Sequence, residues 1–241
     1  MTNLSVVIPA RNEADNIVGL VEAIDLALAP LAPFEIIVVD DCSTDNSVSV
    51  LAEKARLMPH LRIIRHDRSG GQSAAVHSGV KAALSAVICT LDGDGQNPPE
   101  ELPKLVTPIL NDTTGRIGLV AGQRVDRQDT WSKKAASRFA NGLRGWMLND
   151  HTRDTGCGLK AFRREGFLDL PYFDHMHRYL PALFTRDGWE VAHVDVSHRA
   201  RGAGRSNYSN IQRALVGIVD LFGVMWLLRR RKKARPIAPV E

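Results

Sequence analysis

Two carboxylates and an amide follow a short apolar segment at alternate positions of the sequence. They are Asp92, Asp94 and Gln96 in the segment Leu91-Asp-Gly-Asp-Gly-Gln96. If the extended conformation of a strand continues through them, the three side chains point to one side, and the glycines between them let a ligand approach the main chain. Oxygen ligands of this kind suit Mg²⁺ or Mn²⁺, and such an ion suits a diphosphate. The alternative is an acidic turn with solvated side chains, because an Asp-x-Asp tripeptide alone is common.

A second acidic cluster follows an earlier apolar segment, in Val38-Val-Asp-Asp-Cys-Ser-Thr-Asp45. Ligands of open α/β sheets bind at the carboxyl ends of the strands, so both clusters should border one crevice. Asp40 or Asp41 could accept hydrogen bonds from a base or a ribose. Asp45 and Ser43 are instead interpreted as caps of the following helix.

The elements that must position these residues are predicted from hydrophobic patterning. Short β-branched segments alternate with helical patterns in the first half of the chain, which indicates βαβ units around a mainly parallel sheet. Apolar residues at helical spacing predict helices over residues 17–28 and 48–55. A third helix should start near residues 97–101 and end or kink at Pro108. The predicted strands are residues 5–8, 35–39, 62–65, 86–91, 118–121 and 190–196.

The domain organisation is simple, because the sequence shows no internal repeat, low-complexity segment or interdomain linker. We expect one α/β domain over residues 1–210. Residues 125–149 are polar and basic, and they suit amphipathic helices or a mobile segment better than a buried strand. A polar, Gly-rich loop is expected over residues 199–207, followed by an amphipathic helix and a basic tail over residues 211–241.

The composition is that of an ordinary globular protein, with 44% hydrophobic and 24% charged residues, and it permits one domain with a full core. The net charge of +4 conceals a basic run at residues 229–235, without which the chain is close to neutral. Three widely spaced cysteines match neither a disulfide framework nor a zinc site, which favours a reducing compartment. The N-terminus lacks a signal-peptide pattern, and the apolar residues 214–228 fall short of the roughly 20 that span a bilayer. We therefore expect neither export nor a membrane-spanning helix.

Three motifs follow one another along the chain: Val7-Ile-Pro-Ala-Arg-Asn-Glu13, Val38-Val-Asp-Asp-Cys-Ser-Thr-Asp45 and Leu91-Asp-Gly-Asp-Gly-Gln-Asn-Pro-Pro-Glu100. Together they resemble the signature of family-2 GT-A glycosyltransferases. The similarity is greatest to the dolichol-phosphate mannosyltransferase-like branch, which includes bacterial polyprenyl-phosphate glycosyltransferases, and it covers roughly residues 4–225. The resemblance implies a Rossmann-like GT-A fold and metal-dependent, inverting transfer of a sugar from a UDP- or GDP-sugar to a polyprenyl phosphate.

The resemblance also assigns roles on the donor side. Asp92 would bridge the nucleotide and the metal, and Asp94 and Gln96 would hold the Mg²⁺ or Mn²⁺, as the spacing of these residues independently suggests. A loop that resembles the family's diphosphate-closing loop places Arg201 and Arg205 on the phosphates, with Arg178 as a further contact. The family's usual Lys falls on Asn207 here. The nucleotide pocket would be lined by Pro9, Arg11, Glu13, Val39 and Asp41, although residues 9–13 could equally form a strand-to-helix turn.

Transfer to a phosphate requires cations that hold an anion, and Arg supplies a planar, always-charged fork. By resemblance, the acceptor phosphate is held by Arg124, Lys133 and Ser137, with Lys134 and Arg138 as possible substitutes because the spacing is uncertain. The segment Asp154-Thr-Gly-Cys-Gly158 resembles the family's Asp-x-x-x-Gly segment, which precedes a short strand, and Asp154 would lie near the donor sugar and the acceptor. It is interpreted as a positioning group rather than a base, because a phosphate acceptor is already anionic. Cys157 is interpreted as a packing residue.

The apolar residues between Ile211 and Trp226, followed by the basic run, predict an amphipathic helix in the membrane interface. The alternative is a core helix with a soluble tail. Many members of the resembling family carry transmembrane helices beyond this point, where this sequence ends. We therefore expect peripheral attachment at the cytoplasmic face of a membrane, unless a partner subunit contributes.

Other functions remain open. Transfer to a saccharide or lipid hydroxyl would need a true base and make Asp154 indispensable. Sugar nucleotidyltransferase chemistry is disfavoured because its Gly-rich N-terminal loop is missing. A non-catalytic module that binds a nucleotide-sugar or nucleic acid is disfavoured by the complete set of Asp92, Asp94 and Gln96, and no nucleic acid partner is expected because interleaved aromatic residues are missing. The sequence leaves open the sugar, the nucleotide base, the lipid length and the oligomeric state.

Overall fold

The computed structural model describes residues 3–125, 144–145, 147–148, 152–199 and 210–230, and all structural statements below concern these residues. Three short 3₁₀ helices occur at Ala29–Leu31, Pro99–Glu101 and Met176–Arg178. The strands are β1 (Leu4–Ala10), β2 (Phe34–Asp40), β3 (Leu61–Arg65), β4 (Val87–Thr90), β5 (Ile117–Arg124), β6 (Lys160–Arg163) and β7 (Glu190–Val196). The helices are α1 (Ala14–Leu28), α2 (Ser47–Leu57), α3 (Gly71–Ala82), α4 (Leu102–Leu110), α5 (Arg164–Leu168), α6 (Leu180–Arg186) and α7 (Asn210–Arg229).

The strands form one seven-stranded sheet in the order β3-β2-β1-β4-β6-β5-β7. Strands β1 to β4 pair in parallel, and β5 pairs in parallel with β7. Strand β6 lies between β4 and β5 and is antiparallel to both. The sheet confirms the predicted mixed, mainly parallel architecture with flanking helices. Hydrophobic patterning did not predict β6 (Lys160–Arg163), but it corresponds to the short strand that the family resemblance placed after Gly158.

Alternation along the central strands builds a core on each face of the sheet. Val6 and Ile8 of β1 are fully buried in a cluster with residues of α1, α2 and α4. Val7, between them, is fully buried in a second cluster with residues of α3, α5 and α6. Since successive strand side chains point to opposite faces, a continuous apolar strand feeds both cores.

The region around residues 97–110 differs in detail from the expected single helix. A 3₁₀ turn at Pro99–Glu101 precedes α4, and the helix continues past Pro108 to Leu110. The proline therefore lies in the last turn and does not end the helix at once, which is tolerable because only a few residues follow it.

One edge of the sheet collects most of the polar strand ends. Parallel β1, β2 and β4 end there, and β5 runs in the same direction because both β4 and β5 are antiparallel to β6. The antiparallel β6 begins at this edge, where Lys160 pairs with Thr90 of β4 and Ala121 of β5. The two acidic strand ends therefore lie at one edge of the sheet, with Lys160 beside the end of β4.

Candidate active site

The acidic segment after β4 turns immediately. The strand ends at Thr90, Gly95 has a φ of +72°, and the Gln96 main-chain N–H donates to Asp94 Oδ1 over 3.2 Å. A left-handed φ is readily adopted by glycine, so this residue permits the turn. The expected extension of the strand through Asp92, Asp94 and Gln96 is therefore wrong. A turn, not strand alternation, brings Asp94 close to Asp92 and to the main chain of Gln96.

Asp92 is half-buried and only partly satisfied by hydrogen bonds. Oδ1 accepts from Gln72 Nε2 over 2.7 Å, and Oδ2 accepts from Asn97 Nδ2 over 3.2 Å. A Cβ added at Gly158 would lie 2.3 Å from Asp92 Oδ2, so only glycine fits beside this carboxylate. Burial and the nearby charge of Asp94 raise the pKa of Asp92. A cation bound at this position would favour the ionised form.

The acidic turn after β4 offers a small number of oxygen ligands for a divalent ion. In the described part of the chain, no group of three or more His, Cys, Asp or Glu side chains is placed to hold a metal. Mg²⁺ commonly takes only one or two carboxylates from a protein and completes its shell with water and substrate phosphates. Asp92 and Asp94, with the amide of Gln96, fit an ion of this kind, since the charge on Asp92 lacks full compensation.

The carboxylate of Asp41, by contrast, is fully engaged. Oδ1 accepts from His66 Nδ1 and the Gly70 N–H, each over 2.8 Å, while Oδ2 accepts from Ser69 Oγ over 2.7 Å and the Gly71 N–H over 2.9 Å. Burial acts to raise the pKa of Asp41, but these hydrogen bonds outweigh it and hold the pKa below its ordinary value. Asp41 therefore anchors the loop that begins α3.

Arg11 extends the same network, because its Nη1 donates to Ser69 Oγ over 2.9 Å. Pro9 lies at the end of β1 and lines the cavity described below. Val39 is fully buried in the second core cluster, so its side chain is not available to a nucleotide. Of these predicted pocket residues, only Pro9 lines that cavity.

The turn between β1 and α1 is joined to the loop after β2. The Asn12 N–H donates to Ser43 Oγ over 2.8 Å, and the Glu13 N–H donates to Ser47 Oγ over 3.0 Å. Asp45 accepts from the Ser47 N–H over 3.0 Å at the start of α2, but the N-cap residue is Asn46, so Asp45 holds the entry to the helix from one position before the cap. Ser43 binds Asn12 and does not cap α2. The segment around Glu13 is therefore a strand-to-helix turn held by its neighbours.

On the other side of the site, Arg124 at the end of β5 forms a bidentate ion pair with Asp154. Nε donates to Oδ2 over 2.5 Å and Nη2 to Oδ1 over 2.9 Å. The Asp154 N–H also donates to Gln123 Oε1 over 3.0 Å. Hydrogen bonding to Asp154 raises the pKa of Arg124. Both oxygens of Asp154 are committed to the guanidinium, a geometry that favours a positioning role.

A cavity of about 390 Å³ lies between the two sides. Its lining includes Lys160 and His177, neither of which was assigned a role from the sequence. Lys160 is 4% exposed. His177 Nδ1 lies 2.7 Å from Ser73 Oγ, and burial together with the charges of Lys160 and Arg178 lowers the pKa of His177 well below its ordinary value. The full lining is Pro9, Gln72, Val76, Thr90, Leu91, Asp92, Thr155, Gly156, Cys157, Gly158, Lys160, His177, Arg178 and Leu180.

The remaining predicted contacts divide into two groups. Arg178 lines the cavity, as expected for a phosphate contact. Cys157 is fully buried, and burial raises the pKa of its thiol, in agreement with a packing role. Arg201, Arg205, Lys133 and Ser137 lie outside the described residues, as do Lys134 and Arg138.

Helix α7 packs against the domain with one face and exposes apolar residues on another. Val224 is buried in the second core cluster, and Tyr179 Oη donates to the Gly217 carbonyl over 3.2 Å. Phe222 and Trp226 are 55% and 58% exposed. The helix therefore packs against the core with one face and exposes apolar side chains on another. No described helix is both long and apolar enough to cross a membrane.

The chain is similar to known glycosyltransferases in sequence and in fold. A family model described as Glycosyl transferase family 2 matches residues 5–170. The chain is 35% identical to a dodecaprenyl-phosphate galacturonate synthase of Rhizobium johnstonii, over 97% of this chain and 69% of the relative. It is 34% identical to an undecaprenyl-phosphate 4-deoxy-4-formamido-L-arabinose transferase of Pectobacterium carotovorum, over 86% of this chain and 63% of the relative. The chain thus spans about two thirds of the length of these relatives.

A solved structure shares the fold. The mannosyltransferase of Pyrobaculum calidifontis in complex with GDP-Man and Mn²⁺ superposes with a TM-score of 0.70 at 21% identity, over 98% of this chain and 66% of that one. This likeness and the family match confirm the GT-A fold and the resemblance that the three motifs indicated.

Proposed function

Because the chain belongs to glycosyl transferase family 2, we propose that it transfers a sugar from a UDP- or GDP-sugar to a polyprenyl phosphate. The observation that carries the proposal is the incompletely compensated Asp92 beside Asp94, at a cavity that also contains Arg178. Carboxylates suit a metal-bound diphosphate, and cations suit further anionic groups. The names of the relatives support the acceptor, since both include a polyprenyl phosphate.

On the donor side, Asp92, Asp94 and Gln96 would hold a Mg²⁺ or Mn²⁺ ion, which would stabilise the negative charge of the departing diphosphate. Arg178 reaches the same cavity, and Arg201 and Arg205 are proposed as further phosphate contacts. Asp41 and Arg11 would act indirectly, by fixing the loop at residues 69–71.

In the transfer step, an oxygen of the acceptor phosphate forms a bond to the anomeric carbon of the sugar. The bond from that carbon to the diphosphate breaks, and the nucleoside diphosphate leaves with the bonding electrons. Attack from the face opposite the leaving group inverts the configuration. Arg124 would hold the acceptor phosphate, since Nε and Nη2 bind Asp154 and Nη1 is available for another oxygen, and Lys133 and Ser137 are proposed to help.

A phosphate acceptor agrees better with the position of Asp154 than a hydroxyl acceptor does. A hydroxyl nucleophile needs a base within hydrogen-bond reach, whereas both oxygens of Asp154 are held by Arg124. A phosphate oxygen is already anionic near neutral pH and needs no such base. Asp154 then serves to orient Arg124.

The exposed apolar face of α7 supports peripheral attachment at the cytoplasmic face of a membrane. Ile218, Phe222 and Trp226 lie at helical spacing and are more than half exposed. Arg229 and Arg230 follow directly, and each basic residue near an anionic surface contributes about 1 kcal/mol of attraction. Replacing Phe222 and Trp226 by Glu should abolish sedimentation with anionic liposomes at low salt. The matched control is Leu26→Glu, which changes an exposed leucine on α1, and equal loss in that control would contradict the assignment.

The reaction itself is tested by a donor and acceptor screen. Purified protein is incubated with UDP- or GDP-sugars, a short polyprenyl phosphate and Mn²⁺, and release of nucleoside diphosphate is measured. We expect release that depends on both the lipid phosphate and the metal. Release that requires a sugar or lipid hydroxyl in place of the phosphate would support the hydroxyl-acceptor alternative and contradict the proposal.

A further inference from the structure

Lys160 is a buried cation in the centre of the site, and no motif assigned it a role. It is the first residue of β6, beside Thr90 of β4 and Ala121 of β5. The residue is 4% exposed, and burial lowers its pKa. Burying an ammonium group is costly unless it is paired. The cost of burying the Lys160 ammonium group therefore requires a compensating interaction.

The protein supplies only part of that compensation. Lys160 Nζ donates to the Cys157 carbonyl, which is its single side-chain hydrogen bond within the described part of the chain. An ammonium group has three N–H bonds to donate. The charges of Asp92 and Asp154 favour the ammonium form. Because Lys160 lines the cavity, its two remaining N–H bonds are available to a ligand there.

The surroundings indicate what kind of oxygen this ligand presents. Beside the ammonium, the cavity offers the carboxylate of Asp92 and the apolar side chains of Pro9, Val76 and Leu180. A sugar hydroxyl both donates and accepts, so it can bridge a carboxylate and an ammonium. The C–H groups of the ring suit the apolar walls. An anionic ligand group beside Lys160 would be repelled by the negative charges of Asp92 and Asp154, both of which act on Lys160.

We propose that Lys160 donates hydrogen bonds to a ring hydroxyl of the donor sugar, an assignment that rests on the proposed glycosyltransferase function. Lys160 would then contribute to binding of the intact nucleotide-sugar but not of the nucleoside diphosphate alone. This separates it from the arginines proposed to contact phosphate.

The test compares two affinities for Lys160→Met and Lys160→Gln, the second of which retains a neutral donor toward the Cys157 carbonyl. Calorimetry in the presence of Mn²⁺ measures binding of UDP or GDP and of the matching nucleotide-sugar that the wild-type protein turns over. Lys81→Gln, which changes an exposed lysine on α3, is the control. We expect nucleotide-sugar affinity to fall by about tenfold or more, because a hydrogen bond to a charged group is lost, while nucleoside diphosphate affinity stays within about twofold.

Equal loss of both affinities would place Lys160 on the phosphates, and unchanged affinities with a lowered melting temperature would make it a purely structural residue. Either result overturns the inference. If Lys160→Met fails to fold, the ratio of the two affinities in Lys160→Gln decides. Failure of the wild-type protein to bind any nucleoside diphosphate would instead overturn the proposed function, and the sugar assignment with it.

Discussion

Two acidic strand ends lie at the same edge of the sheet but differ in how their charge is compensated. At the end of β2, Asp41 accepts hydrogen bonds from four donors in residues 66–71, and its pKa is lowered. After β4, Asp92 accepts from the amides of Gln72 and Asn97, and burial with a neighbouring carboxylate raises its pKa. The first aspartate is built into the fold, whereas the second is proposed to hold a cation that binds with the substrate.

The largest effect on the proposed difference between Asp41 and Asp92 is expected when the charge of Asp92 is removed. We expect Asp92→Asn to reduce turnover by about 100-fold or more, because stabilisation of the developing diphosphate charge is lost. The melting temperature of the metal-free protein should not fall, since the variant removes an unfavourable buried charge. Turnover and thermal unfolding are measured on one preparation. A variant that loses stability and activity together would show that Asp92 is structural, like Asp41.

A third carboxylate, Asp154, differs from both, because the charge of Arg124 compensates it directly. Arg124→Gln should raise the KM for polyprenyl phosphate by about tenfold or more, since a charged hydrogen bond to the acceptor is lost. Binding of the nucleoside diphosphate should be retained. Steady-state kinetics with varied acceptor and calorimetry with nucleotide separate the two effects. An equal loss of nucleotide affinity would move Arg124 to the donor side.

Asp41→Asn tests the other end of the comparison. Its carboxylate holds four donors, so the substitution should lower the free energy of unfolding by about 1.5–3 kcal/mol. The Mn²⁺ dependence of nucleotide binding should remain. Urea denaturation gives the stability, and Asp45→Asn at the exposed residue before α2 is a matched control with a smaller expected loss. Wild-type stability combined with lost metal dependence would reverse the roles assigned to Asp41 and Asp92.

The two carboxylates should also respond oppositely to pH. An unfolded Asp titrates near about 3.9. The pKa of Asp41 is lower in the fold, so its stabilisation is complete above that value and is lost as the pH falls through the folded pKa. The pKa of Asp92 is higher in the fold, so its ionised form costs stability above the folded pKa and nothing below about 3.9.

We therefore expect the stability deficit of Asp41→Asn to shrink as the pH falls below about 4. Any stability gain of Asp92→Asn should begin to shrink earlier in the same descent, as the pH falls through the raised pKa of Asp92. Melting temperatures of both variants and the wild type between about pH 3 and 7 provide the measurement. Parallel curves for the two variants would contradict the difference between the strand ends.

Much of this arrangement was predictable from the sequence. Six of the seven strands have β-branched patterns, and the position of Asp92 after an apolar strand indicated the edge of the sheet. The distinction between Asp41 and Asp92 was not predictable, because it depends on hydrogen bonds to residues 66–71 and to Gln72 and Asn97, which only the fold brings close. Hydrophobic patterning did not indicate β6 either, and only the family resemblance implied a strand there.

Lys160 illustrates the same limit. Lysine is rarely buried in proteins, so a single Lys in a short segment suggests a surface position. The signal available in the sequence was its place between two apolar residues, Leu159 and Ala161. In the structure both are fully buried. Because β6 pairs antiparallel with β4, this lysine is a buried cation beside Asp92.

The most direct test of the metal-diphosphate site is calorimetric titration of the wild type and Asp94→Asn with UDP and GDP, with and without Mn²⁺. For the wild type we expect Mn²⁺ to strengthen binding of one nucleotide. For Asp94→Asn we expect this strengthening to disappear, because a neutral amide holds a divalent ion less well than a carboxylate. Metal dependence that is unchanged in Asp94→Asn would contradict the assignment of the acidic turn after β4 as the metal-diphosphate site.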